Sequence, residues 1–204
     1  MLKLYTADQV RVAEAAASAV LPAGALMQRA AQGLSASCLS ELADRTGSGY
    51  GRRVAMLVGS GGNGGDALWA GSFLCRRGVM VTALLAHPES TFPGAVDGLR
   101  NAGGRVINLT DPESPDAICA ADLVIDGLVG LGSSRGIDLP KHIWDALARS
   151  CAPVVSVDLP SGVNTDSGQV YDGAIRADLT VTFGAYKPAH FLAPARPHCG
   201  RLHQ

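Results

Sequence analysis

Residues 58–71 read VGSGGNGGDALWAG, placing six glycines and one aspartate where an apolar run gives way to a helical pattern. Gly59, Gly61 and Gly64 fit G-x-G-x-x-G, a dinucleotide fingerprint in which backbone amides and a helix N-terminus receive a pyrophosphate. A dehydrogenase using NAD also carries an acidic residue about 20 positions on, which closes the second strand and holds the ribose hydroxyls. Here that strand ends in LLAHPES, where Glu89 comes late and follows a proline. A P-loop needs a lysine after its last glycine, and this loop has none. A cradle for an adenosyl ligand stays open. Asn63 and Asp66 are left over, because a phosphate cradle gains nothing from a carboxylate near the start of its helix. Asp66 is therefore either a helix cap or a group that serves a ligand.

Outward from this loop, β-rich apolar runs at 53–59, 79–86, 104–109, 122–128, 153–159 and 178–184 alternate with helical stretches such as GGDALWAGSFLCRR and LPKHIWDALARSC. That alternation predicts an α/β fold with a mostly parallel sheet and helices on both faces. VAMLVG, DLVIDGLVG and VVSVDLP are nearly continuous apolar runs, as strands buried on both faces are, and each ends in polar, glycine-rich sequence. Ligands bind beyond the carboxyl ends of such strands, so these endings are expected to share one crevice. Ahead of the sheet, Thr6 and Gln9 have capping-box spacing for a helix over about 7 to 18. A second helix, ALMQRAAQGLSASCLSELADR, sets Leu26, Ala30, Leu34, Cys38 and Leu42 at helical spacing and stops near Gly47. HCGRLHQ at the other end has the glycine and the apolar start of one more turn and strand.

The second ending, DLVIDGLVGLGSSRG, closes with Asp126 and runs through Gly130, Leu131, Gly132, Ser133, Ser134 and Arg135 to Gly136. A carboxylate inside an apolar strand is costly unless it is paired, hydrogen-bonded or bound to a cation. Glycine and serine followed by arginine suit an anion nest gripped by a guanidinium, with a solvated loop arginine as the plainer reading. The third ending, VVSVDLPSGVNTDSG, repeats the device with Asp158, Ser161 and Asp166. Ser161 lacks the G-x-S-x-G context of a nucleophile, which leaves an oxygen ligand or a cap. One rim thus receives Asn63 and Asp66, Asp126, and Asp158 with Ser161, and oxygen donors without His or Cys suit a hard cation. In TFGAYKPAHF, Lys187 either reaches the crevice or stays on the surface. His87, His142, His198 and His203 are scattered and suggest no site.

Of 204 residues, 47% are hydrophobic and 17% charged, which suits a single domain over 1–204 with a core of small aliphatic side chains. A net charge of -1 lacks the basic footprint that nucleic acid or an anionic membrane surface requires, so the expected partner is a small molecule. The five cysteines are spread out and include no CxxC pair, against a disulfide framework or a zinc site. The N-terminus meets charge too early for a secretory segment, and the alanine-rich stretch after it is broken by Glu14 and Pro22 short of a membrane span. A soluble, cytoplasmic protein is expected.

Taken in order, ALMQRAAQGL, VGSGGNGGDALWAG, VIDGLVGLGSSRG, VDLPSGVNTDSG and TVTFGAYKPAH make the chain resemble the NAD(P)H-hydrate epimerase family, the YjeF N-terminal domain, over almost its whole length. The resemblance implies a Rossmann-like three-layer α/β/α sandwich with two N-terminal helices. It implies epimerisation of the R and S forms of 6-hydroxylated NADH and NADPH (NADHX and NADPHX), and a bound potassium ion (K+). By matching positions, Asn63, Asp126 and Ser161 would be the potassium ligands. Gly62, Asn63, Gly64, Gly65 and Asp66, the stretch Gly130 to Gly136, and Asp158 would contact the hydrated dinucleotide. The family's Asn-Asn-Gly-Gly-Asp-Gly becomes Gly62-Asn63-Gly64-Gly65-Asp66-Ala67 here, so the first Asn side chain is lost, and Asn164 stands where the family has Asp. A homodimer joined through the apolar N-terminal helices is implied too. In many bacteria the domain is fused to an ATP- or ADP-dependent dehydratase, and the ending at Gln204 would fit a fragment of such a fusion.

The carbon to be epimerised bears a hydroxyl beside the ring nitrogen, so the reaction passes through loss and return of water by way of an iminium, or through ring opening. Both routes need a proton donor at that hydroxyl. Asp158 is the expected acid/base, because a strand-end carboxylate in a partly desolvated crevice suits proton transfer, and Lys187 is the second candidate. Two other classes compete: an NAD-dependent oxidoreductase, weakened by the missing acidic partner, and a dinucleotide-binding module without turnover.

Overall fold

The computed structural model describes residues 2–132 and 135–204. Two helices lead, α1 (Ala7–Ser18) and α2 (Ala25–Thr46). Thr6 starts α1 as its spacing predicts: its hydroxyl accepts from the Gln9 N–H, and the Gln9 side chain accepts from the Thr6 N–H. Leu34, Cys38 and Leu42 of α2 are buried, whereas Leu26 and Ala30 stay partly exposed beside a groove. None of the described helices is long and apolar enough to cross a membrane.

Strand and helix then alternate through β1 (Arg53–Val58), α3 (Gly62–Cys75), β2 (Met80–Leu85), α4 (Pro93–Asn101) and β3 (Arg105–Asn108). The alternation continues through α5 (Ser114–Cys119), β4 (Leu123–Gly127), α6 (Lys141–Arg149) and β5 (Val154–Val157), followed by β6 (Leu179–Val181), α7 (Arg196–Cys199) and β7 (Arg201–His203). The sheet order is β3-β2-β1-β4-β5-β6-β7 and every pairing is parallel, so the mostly parallel sheet expected from sequence is parallel throughout its described strands. The HCGRLHQ segment does supply a last strand, β7. The runs 153–159 and 178–184 shorten to four and three residues, because Asp158 leaves the extended conformation directly after β5 and Phe183 and Gly184 turn away after β6.

The period-two pattern of the central strands divides the core. Val54, Met56 and Val58 of β1 pack with Leu34 of α2, Leu68 and Leu74 of α3 and Leu99 of α4. Ala55 and Leu57 face the other way, onto Ile118 of α5 and Ile143 and Ala146 of α6. Helices therefore cover both faces, and each fully buried leucine contributes roughly 1.5–3 kcal/mol of apolar burial. From β1 the chain steps outward to β2 and β3, then crosses back to place β4 on β1's other side. At that reversal the loops after β1 and β4 diverge and open a crevice at the carboxyl edge, where ligands of such sheets bind.

Candidate active site

The loop after β1 is shaped by what its glycines must avoid. A Cβ on Gly59 would lie 1.9 Å from the Leu128 carbonyl oxygen, and one on Gly64 would lie 2.0 Å from that of Gly59. These two glycines let α3 sit against the ends of β1 and β4. Gly61 and Gly62 have nothing within 4 Å of the same position, so their backbone is open to an approaching ligand. Gly64 and Gly65 are buried, Gly65 against Met27 and Phe92, and do not line the crevice. The α3 helix starts at Gly62 with no side-chain cap and no acid in its first turn, which overturns the helix-cap reading of Asp66. Asp66 instead lines the cavity, and burial first, then the carboxylates of Asp158 and Glu14, pushes its pKa up to about 7.

At the end of β4, Asp126 is fully buried and surrounded by neutral donors. Its Oδ2 accepts from Ser156 Oγ at 2.8 Å and from the Ser161 N–H at 2.9 Å. Its Oδ1 accepts from Ser161 Oγ at 2.5 Å. Burial raises the Asp126 pKa and these hydrogen bonds oppose the rise. No ion pair among the described residues involves it. Ser161 Oγ also lies 3.1 Å from the Val129 carbonyl oxygen, yet a hydroxyl has one hydrogen, and committing it to Asp126 leaves that carbonyl free to accept elsewhere. Asn63 Nδ2 donates to the Val157 carbonyl, and a Cβ on Gly130 would strike the Asn63 amide, so that glycine gives the amide its place. The three expected potassium ligands thus gather about residues 127–130. Among the described residues no three His, Cys, Asp or Glu cluster, so the set is one carboxylate with neutral oxygens. Such a set fits a hard, weakly charged cation.

Beyond β5, Asp158 has φ 65, an unusual conformation for a residue with a side chain. The Leu159 N–H returns to the Val157 carbonyl at 2.7 Å, closing a three-residue turn around Asp158. Backbone held this way costs on the order of 1–3 kcal/mol and persists only where its surroundings enforce it. Asp158 Oδ1 accepts from Thr182 Oγ1 at 2.9 Å, from the Phe183 N–H at 3.3 Å and from Lys187 Nζ in a close ion pair. Lys187, for which the sequence left crevice and surface open, is 1% exposed and also donates to Thr182 Oγ1 at 2.9 Å and the Phe183 carbonyl at 3.1 Å. Removing one partner of such a buried pair is strongly destabilising, by about 3–5 kcal/mol.

A cavity of about 420 Å³ brings Asp158, Asp66, Asn63 and Gly62 together with Gly130, Leu131 and Gly132. A second, of about 510 Å³, shares Ser60, Leu128, Val129 and Gly132 with it and adds His87, Arg135 and Gly136. Both fall in the size range of small-molecule sites. Ser133 and Ser134 lie outside the described residues. Sequence reasoning missed Ser60, Phe183, Arg11 and Glu14, all of which line the first cavity. Arg11 and Glu14 come from α1, which is pinned there by the loops after β4, β5 and β6. Arg11 Nη2 donates to the Leu131 carbonyl at 3.2 Å, the Ala7 N–H to Asp166 Oδ1 at 2.8 Å, and the Tyr5 N–H to the Tyr186 carbonyl at 2.9 Å. Burial and then Asp158 raise the Glu14 pKa, while Lys187 and Arg11 oppose the rise. Asn164 lies outside this cavity and holds its own loop, accepting from the N–H groups of Asp166 at 3.1 Å and Ser167 at 3.0 Å.

Residues 23–189 match the sequence profile described as YjeF-related protein N-terminus. The bifunctional NAD(P)H-hydrate repair enzyme Nnr of Mycobacterium tuberculosis is 45% identical over 203 residues, 99% of this chain and 41% of that protein. The chain thus spans about two fifths of the length of that relative. NAD(P)H-hydrate epimerase of Clavibacter sepedonicus is 37% identical over 211 residues, covering 97% of this chain and 87% of that protein. The crystal structure of yeast ynu0, YNL200c, superposes with a TM-score of 0.79 over 92% of this chain and 83% of that one, at 20% identity, which is a likeness of fold. An all-parallel sheet with this glycine loop, together with a profile match over most of the chain and relatives at these identities, means that the chain belongs to the family of YjeF-related protein N-terminal domains.

Proposed function

We propose that this chain is an NAD(P)H-hydrate epimerase, which interconverts the R and S forms of NADHX and NADPHX. The observation that carries the reading is Asp158 on the same cavity as the open backbone of Gly61 and Gly62, with the Lys187 ammonium buried behind it, which suits a dinucleotide whose reacting ring must meet a proton carrier. One relative is named for that activity and another as a bifunctional NAD(P)H-hydrate repair enzyme, which supports the reading. An oxidoreductase is disfavoured, since β2 ends at Leu85 and is followed by Ala86 and His87, with no carboxylate there for a ribose.

In the proposed reaction the Asp158–Lys187 pair supplies a proton to the ring hydroxyl. Water leaves as the ring nitrogen's lone pair forms a C=N bond, and the Asp158 carboxylate stabilises the resulting iminium cation. Water then adds to either face of that carbon and returns its proton to the pair, so that atoms and charge balance. Asp66, its pKa pushed up to about 7, is a second group on the cavity that can carry a proton. Asn63, Asp126 and Ser161 would hold potassium, with Val129 O as a further oxygen donor. When bound, the ion would fix ligand and loops and offset the buried Asp126 charge, being too weakly polarising for Lewis-acid work. The reading extends to a homodimer, a cytoplasmic setting and, by analogy with the bifunctional relatives, a dehydratase domain on the native polypeptide.

The test is chromatography of an unequal mixture of the two NADHX epimers, with and without the protein, in potassium and then in sodium buffer. Protein-dependent equilibration that is faster in potassium is expected. An unchanged ratio from a folded protein that binds NADP+ would instead mark a binding module.

A further inference from the structure

His190 is fully buried, and its two ring nitrogens are engaged by the backbones of the two members of the proposed acid/base pair. The Lys187 N–H lies 3.0 Å from Nδ1. A backbone amide can only donate, so Nδ1 carries the lone pair and the hydrogen sits on Nε2. Nε2–H then donates to the Asp158 carbonyl oxygen, 2.8 Å away. Burial holds the imidazole pKa below its ordinary value, in keeping with a neutral ring. Tyr186 and Phe191 meet the ring edge-on at 5.9 and 6.5 Å and leave it little freedom to turn.

The two backbones joined by this ring belong to different segments. Asp158 follows β5 and sits in the left-handed turn that its neighbours must enforce, with its N–H on the Val181 carbonyl at 2.7 Å and its carbonyl on His190. Lys187 follows β6, and the short turn Pro188–His190 folds the imidazole back onto it. The ring is thus a strut between the segments that deliver the carboxylate and the ammonium. It does not line the cavity, so contact with substrate is not its part.

We propose that His190 is a positioning residue for the Asp158–Lys187 pair, its neutral imidazole bridging the Asp158 carbonyl and the Lys187 amide so that the buried ammonium keeps its register against the carboxylate that lines the cavity. The inference rests on the epimerase reading. It singles out His190→Leu, which fills much of the same space but bridges nothing, and His190→Gln, whose amide can both accept and donate. A displacement of about 1 Å in a catalytic group can cost on the order of a hundredfold in rate. His190→Leu is therefore expected to lower kcat by about 10–100-fold, while KM and the affinity for NADP+ stay within about threefold. His190→Gln should recover kcat to within about fivefold of the parent.

The deciding measurement adds Asp158→Asn. If the ring acts through Asp158, Asp158→Asn and the double variant Asp158→Asn/His190→Leu turn over at the same residual rate, because residues acting as a unit are not additive. A folded His190→Leu variant with the parent's kcat overturns the inference and leaves the epimerase reading standing. So does a loss that adds in full to that of Asp158→Asn, which would indicate a general structural role. Failure of the unsubstituted protein to equilibrate the epimers removes the reading and the inference together. Should His190→Leu not fold, His190→Asn, polar but too short to span both backbones, takes its place in the same comparison.

Discussion

Asp66 and Asp158 line one cavity in different electrical surroundings. Asp158 has Lys187 beside it, whereas Asp66 has burial and two other carboxylates, which move its pKa from an ordinary 3.8 to about 7. Between those two values the unfolded chain has already lost this proton and the folded chain still holds it. Ionisation of Asp66 therefore opposes folding, and stability falls as the pH rises through that window. A shift of one pKa unit corresponds to about 1.4 kcal/mol, and because Asp66 is only partly buried we expect a total loss of about 1–3 kcal/mol. Asp66→Asn should be spared this loss, so its advantage over the parent grows between about pH 5 and about pH 8. Urea midpoints at both ends check it, and parallel pH profiles would show Asp66 ionised throughout. Asp158 was legible as a residue of the crevice from its place after an apolar strand. The burial of Lys187 was not, because it depends on Thr182 and Phe183 receiving the ammonium across a turn that no local pattern announces. The His190 bridge was hidden for the same reason: its partner carbonyl lies 32 residues away.

At the scale of elements, the glycine loop divides into packing glycines and open ones. Alanine at Gly64 would bring a methyl group 2.0 Å from the backbone oxygen of Gly59, a contact that only a shift of α3 or β1 relieves. Such overpacking costs about 1–3 kcal/mol, and Gly64→Ala should lower the urea midpoint accordingly. Alanine at Gly62 meets nothing within 4 Å and gains helix propensity, so Gly62→Ala should keep or raise stability by up to about 1 kcal/mol. A Gly64→Ala variant as stable as the parent would show that α3 is not held against β1 in this way. The existence and order of these elements along the chain were readable because strand and helix periods alternate cleanly from Arg53 onward. Their ends were less so. The apolar run 153–159 continues past β5 in composition, and only the left-handed backbone at Asp158 ends the strand. Of the two readings open for Asp66, the cap falls for the same reason, since α3 begins at Gly62 after Gly61, an N-cap without a side chain, and composition does not mark that start.

The whole molecule brings the ends of β1, β4, β5 and β6 and the α1 helix to one crevice, although these segments are far apart in sequence. Strand order and the docking of α1 are tertiary facts: nothing local in Arg11 or Glu14 indicates that they reach Leu131 and the cavity, 120 residues on in the case of Arg11. The same convergence makes the proposed cation site a joint between parts of the fold. Asn63 belongs to α3, Asp126 to β4 and Ser161 to the segment after β5, so an ion held by all three binds the folded state and not the unfolded chain. Linkage then raises the stability of the whole domain by about 2.7 kcal/mol when the ion is at a hundred times its Kd. For a domain of this size that is a rise in Tm of about 5–10 °C. We expect the Tm in potassium to exceed that in choline at matched ionic strength by such an amount, with sodium between them. Asn63→Ala should lose most of the difference, even if its Tm in choline is also lower because the bond to Val157 is gone. Equal midpoints in potassium and choline would mean that Asp126 is satisfied by Ser156 and Ser161 alone, and that the oxygen cluster braces the strand ends without holding an ion.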